Sequence, residues 1–434
     1  MIALRLLSFC LCLFPLLADA EEEDWAVHAQ STAVVQWHPA FAAGYSGPRS
    51  LDPKAQGNET SDATLYAGVK PWQGGEFWAN LELDQGFGLS NTVGIAGFTS
   101  GEAYKVGEHR PYFRLPRAFF RQSFDLGGES QAIESDLNQL AGSATADRLV
   151  LTVGKFGVVD IFDANQYAHD PRQDFMNWAI IDLGTFDYAA DAWGFTYGMA
   201  AELTLGEWTW RAGLFDGSSR PNDKALDPKP FDQTQEILEI EHRQSLFGQI
   251  GKIKLLGFVS EARLGSYDDA ITLARATGTT PDAALVRKMR EKAGAGINIE
   301  QPFSEEAGLF LRAGVTQGDA EIYEFSDIDR SLSFGASTGG AVWGRPRDRF
   351  GSALVWNGLS EQAKHYFQAG GLGILVGDGQ LPNSAGERIW ESYYSFSPVG
   401  GLAISADYQL VDHPAYNRDR GPVQVLSARA HLQF

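Results

Sequence analysis

Phe77-Trp78-Ala79-Asn80-Leu81-Glu82-Leu83-Asp84 alternates without a break: Phe77, Ala79, Leu81 and Leu83 fall on one face, and Trp78, Asn80, Glu82 and Asp84 on the other. A period of two marks a β-strand with one apolar face. The same period returns where Trp193, Phe195, Tyr197, Met199, Ala201 and Leu203 share a face, and again where Leu402, Ile404, Ala406, Tyr408 and Leu410 do. It closes the chain, with Leu426, Ala428, Ala430, Leu432 and Phe434 set against Val425, Ser427, Arg429, His431 and Gln433. Continued along the sequence, this reading predicts an all-β chain of about sixteen strands of roughly ten residues, the length a tilted strand needs to cross a bilayer. An even number closes an antiparallel barrel with both ends on one side.

The connections between these strands alternate in length. Short ones fall at residues 73–75, near Gly206, at 247–251, 303–306, 343–346 and 398–400; long ones cover roughly 38–62, 86–113, 157–191, 216–233, 264–285, 318–328, 359–386 and 411–422. Short periplasmic turns and long extracellular loops are the pattern of outer-membrane barrels. Residues 126–147 break it, being long and polar where a short turn is due. Ser266 with Asp269 forms a capping-box pattern and Gly278 can end a helix, so the 264–285 loop is expected to carry one.

Alternation alone does not say which face meets the apolar phase, and a soluble barrel or sandwich has its apolar face inward. Sixteen apolar faces would need one enormous core, however, while the polar faces carry Glu82, Asp84, Arg117, Arg121 and Glu202. Lipid supplies the missing apolar phase. A one-residue slip of the Phe77 strand would put Glu82 and Asp84 into hydrocarbon, at up to about 2–4 kcal/mol per charge near the midplane. The lumen is therefore polar, and about sixteen strands make it too wide for wall side chains to fill. Trp72, Trp193, Trp208 and Trp390 suit aromatic girdles at the membrane interfaces, and a terminal phenylalanine closing an alternating strand resembles the signal read by the outer-membrane assembly machinery.

Composition agrees. The 434 residues include 48 glycines and 12% aromatics, with a formal charge of −20. A mean hydropathy of −0.21 leaves no room for several apolar helical spans, and the acidity argues against nucleic acid as a partner. Arg5 precedes the apolar run Leu6–Leu17, and Ala18-Asp19-Ala20 supplies small residues before a cleavage point. Residues 1–20 thus read as a cleaved export signal and 21–434 as a single outer-membrane barrel domain. Cys10 and Cys12, the only two cysteines, fall in the signal, so no disulfide is expected in the mature chain. Phe9 is too bulky for Cys10 to be a lipoprotein attachment point.

Something must narrow so wide a lumen, and the best candidate is the connection that follows Leu149–Val153. Between residues 160 and 191 it carries seven aspartates against Arg172 and His169, a formal −6 with histidine neutral. Folded into the pore, Asp160, Asp163 and Asp170 would set a negative potential that favours cations; the alternative is an external loop that merely solvates the rim. Phe162, Tyr167, Phe175, Trp178, Phe186 and Tyr188 are too many aromatics for a purely solvated loop. Aromatic faces stack on the C–H faces of pyranoses while Asp, Asn165 and Arg172 bond the hydroxyls, which suits a sugar path. Arg114, Arg117 and Arg121 offer opposite charge, either as a transverse field across the lumen or as salt bridges along the wall; Glu82, on the polar face of the Phe77 strand, is also placed along the substrate path. Asp160, Asp163, Asn165 and Asp170 are hard oxygen donors, but their spacing is not an EF-hand. Transient coordination of a passing divalent ion is the expected metal chemistry, with no resident metal and no cofactor. An enzyme carried on the rim is the contrasting class and is not expected.

Several composite segments resemble one known family: Pro111-Tyr112-Phe113-Arg114-Leu115-Pro116-Arg117, Gly154-Lys155-Phe156 with Asp160-Ile161-Phe162-Asp163, Tyr167-Ala168-His169-Asp170-Pro171-Arg172, Asp174-Phe175-Met176-Asn177-Trp178-Ala179, Asp407-Tyr408-Gln409 and Pro414–Pro422. They are similar to the carbohydrate-selective porins of the OprB type. The resemblance implies a sixteen-stranded outer-membrane pore for small sugars; some similar members are regarded as manganese channels. Outer-membrane lipid is an expected partner, and porins of this size often associate as homotrimers, for which the sequence marks no interface. A passive sugar channel with cation preference is the expectation, and a channel for divalent metal ions the alternative.

Overall fold

The computed structural model describes residues 22–325 and 327–434; the export signal expected at 1–20 lies outside them. Sixteen antiparallel strands among these residues close into one barrel in sequence order, sealed where β1 pairs with β16. They are β1 (Trp25–His38), β2 (Gln56–Trp72), β3 (Gly75–Gly86), β4 (Tyr112–Ile133), β5 (Gly142–Phe156), β6 (Thr196–Leu205), β7 (Trp208–Asp216) and β8 (Thr234–Leu246). The second half comprises β9 (Gln249–Gly265), β10 (Arg287–Pro302), β11 (Ala307–Thr316), β12 (Arg330–Gly339), β13 (Arg349–Gly358), β14 (Glu387–Val399), β15 (Leu402–Asp412) and β16 (Val423–Gln433). Three short helices, α1 (Trp178–Ile181), α2 (Tyr267–Thr277) and α3 (Glu361–Gln368), all lie in long connections. In α2, Ser266 Oγ accepts from the Asp269 N–H at 3.3 Å and Gly278 ends the helix at φ 69°.

Burial fixes which face meets lipid. Phe77 is 45% and Leu81 48% exposed on the outside of β3, whereas Glu82 is 1% exposed within. The register pairs Leu81 with Leu65 on the outer face and Glu82 with Thr64 on the inner one, and Thr64 donates to Glu82 at 2.9 Å. This inversion of a soluble fold holds from β1, where Val27, Val35 and Trp37 face out and Gln30, Thr32 and Gln36 face in, to β16. A soluble barrel would have the two faces exchanged. Trp72, Trp208 and Trp390 are exposed near strand ends, as an interface girdle requires. Trp193 is not part of it: β6 begins only at Thr196, and Trp193 turns inward, its indole N–H donating to Tyr112 Oη at 3.1 Å.

Six tight connections at 73–74, 206–207, 247–248, 303–306, 340–348 and 400–401 mark one rim, the periplasmic one. Residues 126–147 belong to that rim and are not a long loop. β4 and β5 run on past their outer neighbours, which stop pairing at Gln122 and Arg148, and pair with each other from Phe124–Leu149 down to Ile133–Gly142 through two register shifts. Only residues 134–141 form the turn. Both faces of the ribbon meet water, so no alternation is imposed on it.

Candidate functional site

Two long connections fold against the inner wall. The first, residues 157–195, has little regular structure, so its backbone polar groups must find partners elsewhere. Lumen-facing wall side chains supply them. Buried Arg312 on β11 donates to Asp163 Oδ1 at 3.1 Å and to the carbonyls of Asp163, Ala168 and Ile180 at 2.7–2.8 Å. Glu239 on β8 accepts the Asp163 N–H at 2.8 Å, and Glu391 on β14 accepts those of Met176 and Asn177 at 2.5 and 3.0 Å. Arg429 on β16 donates to the carbonyls of Pro171, Gln173 and Asp174 at 2.6–2.8 Å. Phe162 packs edge-on against Phe215, and Phe175 does so against Phe310 and Tyr393. A side chain at Gly308 would overlap the Tyr167 ring, so the wall is glycine where the loop presses closest.

The second inward connection, residues 87–111, was expected to be extracellular only. Glu387 on β14 accepts its Ala96 and Gly97 N–H groups at 2.9 and 2.8 Å, and Gln36 and Gln409 donate to Thr99 O at 3.0 and 2.8 Å. It is also knit to the first: Asn177 donates to Gly97 O at 2.6 Å and the Trp178 N–H to Phe98 O at 3.0 Å. The signal in the sequence was the small, apolar run Val93-Gly94-Ile95-Ala96-Gly97-Phe98, which water would not hold.

Together the two connections, with Phe325 from the 317–329 connection and the inner wall at Gln30, Tyr66 and Arg117, enclose a cavity of about 300 Å³. Trp178 is sandwiched there between Phe98, at 5.1 Å and 15°, and Phe325, at 4.9 Å and 21°, with Tyr188 tilted beside both, 4.3 Å from Phe325 and 5.9 Å from Trp178. Arg117, Asp160, Asp170, Arg172 and Trp178 line it. The other predicted residues do not. Phe162, Asp163, Asn165 and Tyr167 lie buried between loop and wall, Asn165 donating to Asn298 at 2.7 Å. Glu82 and Arg114 stand behind Tyr104, Arg114 being bonded to Glu82 and Asp84 and lying 4.6 Å from the Tyr104 ring. Arg121 sits at the periplasmic rim, donating to Asn138 O at 2.9 Å and facing Glu76 at 3.4 Å. Glu102, Tyr104 and Lys105 line the cavity as well, from a connection the sequence reading had left outside it.

Charges in and around the cavity are largely paired. Arg117 makes two bonds to Asp160, at 2.7 and 2.6 Å. Arg172 faces Glu102 at 3.2 Å, Asp62 at 3.5 Å and Glu82 at 3.9 Å. Asp163, Asp182, Asp187 and Asp191 lie within 4 Å of Arg312, His169, Lys292 and Lys155. Most of the loop's formal −6 is thus answered by cations; of the three arginines of β4, Arg114 and Arg121 pair with acids on the wall strand β3, and Arg117 with Asp160 of the inward connection. Burial raises the Glu102 carboxyl well above its usual value against the pull of Arg172. Burial also raises Asp170, but the Arg172 guanidinium, the Arg172 N–H, His431 and Arg429 together outweigh it and hold that carboxyl low. Burial pushes the Lys105 ammonium down to about 8; it makes no hydrogen bond and sits 4.3 Å from the Phe325 ring centroid. For His169 burial favours the neutral ring, and the stronger opposing effect of Asp182 raises it above its ordinary value.

Asp160, Asp163 and Asp170 do not converge, and no group of three or more His, Cys, Asp or Glu side chains among the described residues is arranged to hold a metal ion. Gly335-Ala336-Ser337-Thr338-Gly339 has the spacing of a nucleophile elbow, which needs a sharp strand-to-helix turn. Here it is the end of regular strand β12, with Ser337 bonded to Arg349 at 3.3 Å.

Among known proteins, the family model described as carbohydrate-selective porin, OprB family, matches residues 49–434. No curated protein sequence matches. The high-pH structure of Pseudomonas putida OprB superposes with a TM-score of 0.71 at 15% identity, over 95% of this chain and 94% of that one. The outer membrane channel DcaP of Acinetobacter baumannii gives 0.49 at 11% identity, over 95% and 97%. The first likeness shows the shared fold, and the family match extends through both inward connections to the last strand. The chain belongs to the carbohydrate-selective porin family of the OprB type and is a passive channel of the bacterial outer membrane.

Proposed function

We propose that small sugars diffuse through the cavity between the two inward connections, passing along the edge of Trp178 and exchanging hydroxyl hydrogen bonds with Arg117, Asp160, Asp170 and Arg172. One observation carries this reading: a stacked aromatic column stands beside paired charges in a space of small-molecule size. The apolar edge of this stack can pack against pyranose C–H surfaces, and paired charges bond hydroxyls without holding an ion. Cation preference follows from the acidity of the chain, but it is weaker than the seven aspartates of 160–191 suggest, because their carboxylates are answered nearby. The same pairing weighs against divalent metal as the main permeant, since Asp160 and Asp163 would have to give up an arginine each. The deciding experiment is planar-bilayer recording of the refolded mature protein with glucose and Mn²⁺ titrated separately. Saturable block by glucose with indifference to Mn²⁺ supports the sugar path; the reverse moves the protein to the metal reading. A homotrimer, which porins of this size often form, is tested by native mass spectrometry of the detergent-solubilised protein.

A further inference from the structure

The β4–β5 ribbon bends across the periplasmic mouth. Its tip stands between two spaces: Leu137 and Asn138 line the 300 Å³ cavity, while the preceding Ser135 and Asp136 line a second cavity of about 550 Å³ that opens among His28, His431 and the 399–403 turn. Tip contacts are few and mostly polar. Arg121 donates to Asn138 O at 2.9 Å, Ser135 and the Ala141 N–H donate to Glu23 at 2.8 and 2.7 Å, and Gln433 donates to Asp136 at 3.2 Å. Leu140 and Ala141 are buried, Leu140 within the main hydrophobic cluster, and half-buried Leu137 packs against the same cluster. Where the ribbon leaves the barrel, Gly127 and Gly128 take φ of 126° and 84° within the two register shifts. Such a bulge bends the ribbon, and glycine takes these conformations without strain.

We propose that residues 134–141 are an exit filter of the pore, a lid hinged at Gly127-Gly128 whose Leu137-Asn138 edge floors the sugar cavity and must swing aside for a solute to reach the periplasmic vestibule. The proposal rests on the sugar-path reading for its permeant but not for its geometry. The lid is a second barrier in series with the two inward connections, on the opposite side of the cavity from the extracellular mouth. Its seat combines these polar bonds with the packing of Leu137 and Leu140 and lies outside the barrel's strand ladders, so it can part from the rim while the barrel stays intact.

The test uses the full mature chain, in which Asp136→Cys and Gln433→Cys are the only thiols, and a reducible bis-methanethiosulfonate cross-linker that spans the two side chains. Glucose-driven liposome swelling and single-channel KCl conductance are both read before cross-linking, after it and after reduction. The filter is supported if cross-linking cuts both at least tenfold and reduction restores them. It is overturned if cross-linked channels conduct as before. A second variant replaces residues 128–146 by a two-residue turn, with folding checked by heat-modifiable gel mobility. A larger conductance and passage of longer oligosaccharides support the filter; unchanged conductance and size limit in the folded barrel overturn it. A parent channel that conducts KCl but passes no sugar would overturn the sugar path alone, because the conductance arm still reads the lid.

Discussion

Trp178 and Phe162 are both aromatic, both on the 157–195 connection and both almost wholly buried, yet their surroundings assign them different work. Trp178 presents its edge to the cavity within the Phe98–Phe325 stack, whereas Phe162 is closed in against Phe215. Trp178→Ala is expected to weaken glucose block of ion current by about two- to tenfold, the equivalent of about 0.5–1.5 kcal/mol of aromatic contact. Phe162→Ala is expected to leave glucose block within twofold, and bilayer titration of the two variants side by side checks the contrast. Charge pairs are read the same way. Asp160→Asn leaves the Arg117 guanidinium without its carboxylate and should move the reversal potential in a KCl gradient toward anions, while Arg117→Met should move it toward cations. A pair of variants that shift together in one direction would deny that these two groups offset each other. Sequence alone grouped these residues correctly by type but could not sort them, because the neighbours that bury Phe162, Asp163, Asn165 and Tyr167 lie on strands 50 or more positions away.

At the scale of elements, strands and loops differ in how far the sequence determines them. A transmembrane strand touches lipid on one side and water or polar groups on the other, so every second residue is constrained and β3 is readable from eight letters. The β4–β5 ribbon has water on both sides, and the 87–111 connection is held by Glu387, Gln36 and Gln409, far away in the chain. Neither constraint is periodic, so the ribbon read as an unexplained loop and the inward fold of 87–111 went unseen. The 157–195 connection shows what such anchoring is worth. Arg312 satisfies three of its carbonyls and one carboxylate in a site closed to water. Removing one member of a buried pair costs about 3–5 kcal/mol, so Arg312→Met should free the connection from the wall without unpairing a single strand. Amide hydrogen exchange of residues 160–182 should accelerate by at least a hundredfold while that of β11 changes little, and open-channel current should become larger and noisier. Equal acceleration in the strands would mean that the arginine supports the barrel and not the loop.

For the whole molecule, the sum of charge and its placement give different selectivities. The chain carries −20, but the cavity balances Arg117, Arg172 and Lys105 against Asp160, Asp170, Asp182 and a Glu102 that burial keeps protonated up to higher pH. Most of the surplus negative charge therefore acts from outside the constriction, as a field at the mouths. Such a field is screened over about 10 Å at 0.1 M salt and about 3 Å at 1 M, so the cation-to-anion permeability ratio should fall toward one between 0.1 and 1 M KCl. A ratio that persists at 1 M would place uncompensated acid in the constriction itself. High salt then isolates the cavity's own titration. The Lys105 ammonium is present below about 8 and lost above it; His169, raised by Asp182, loses its positive charge in the same direction as pH rises. Deprotonation removes positive charge from the narrow space, so raising the pH from 7 to 9 in 1 M KCl should move the reversal potential toward cation preference. In Lys105→Met the channel should already be shifted at pH 7, and the remaining change to pH 9 should largely vanish. A parent that keeps the same reversal potential across this range would show that Lys105 lies off the ion path, and with it the Phe325 end of the aromatic stack.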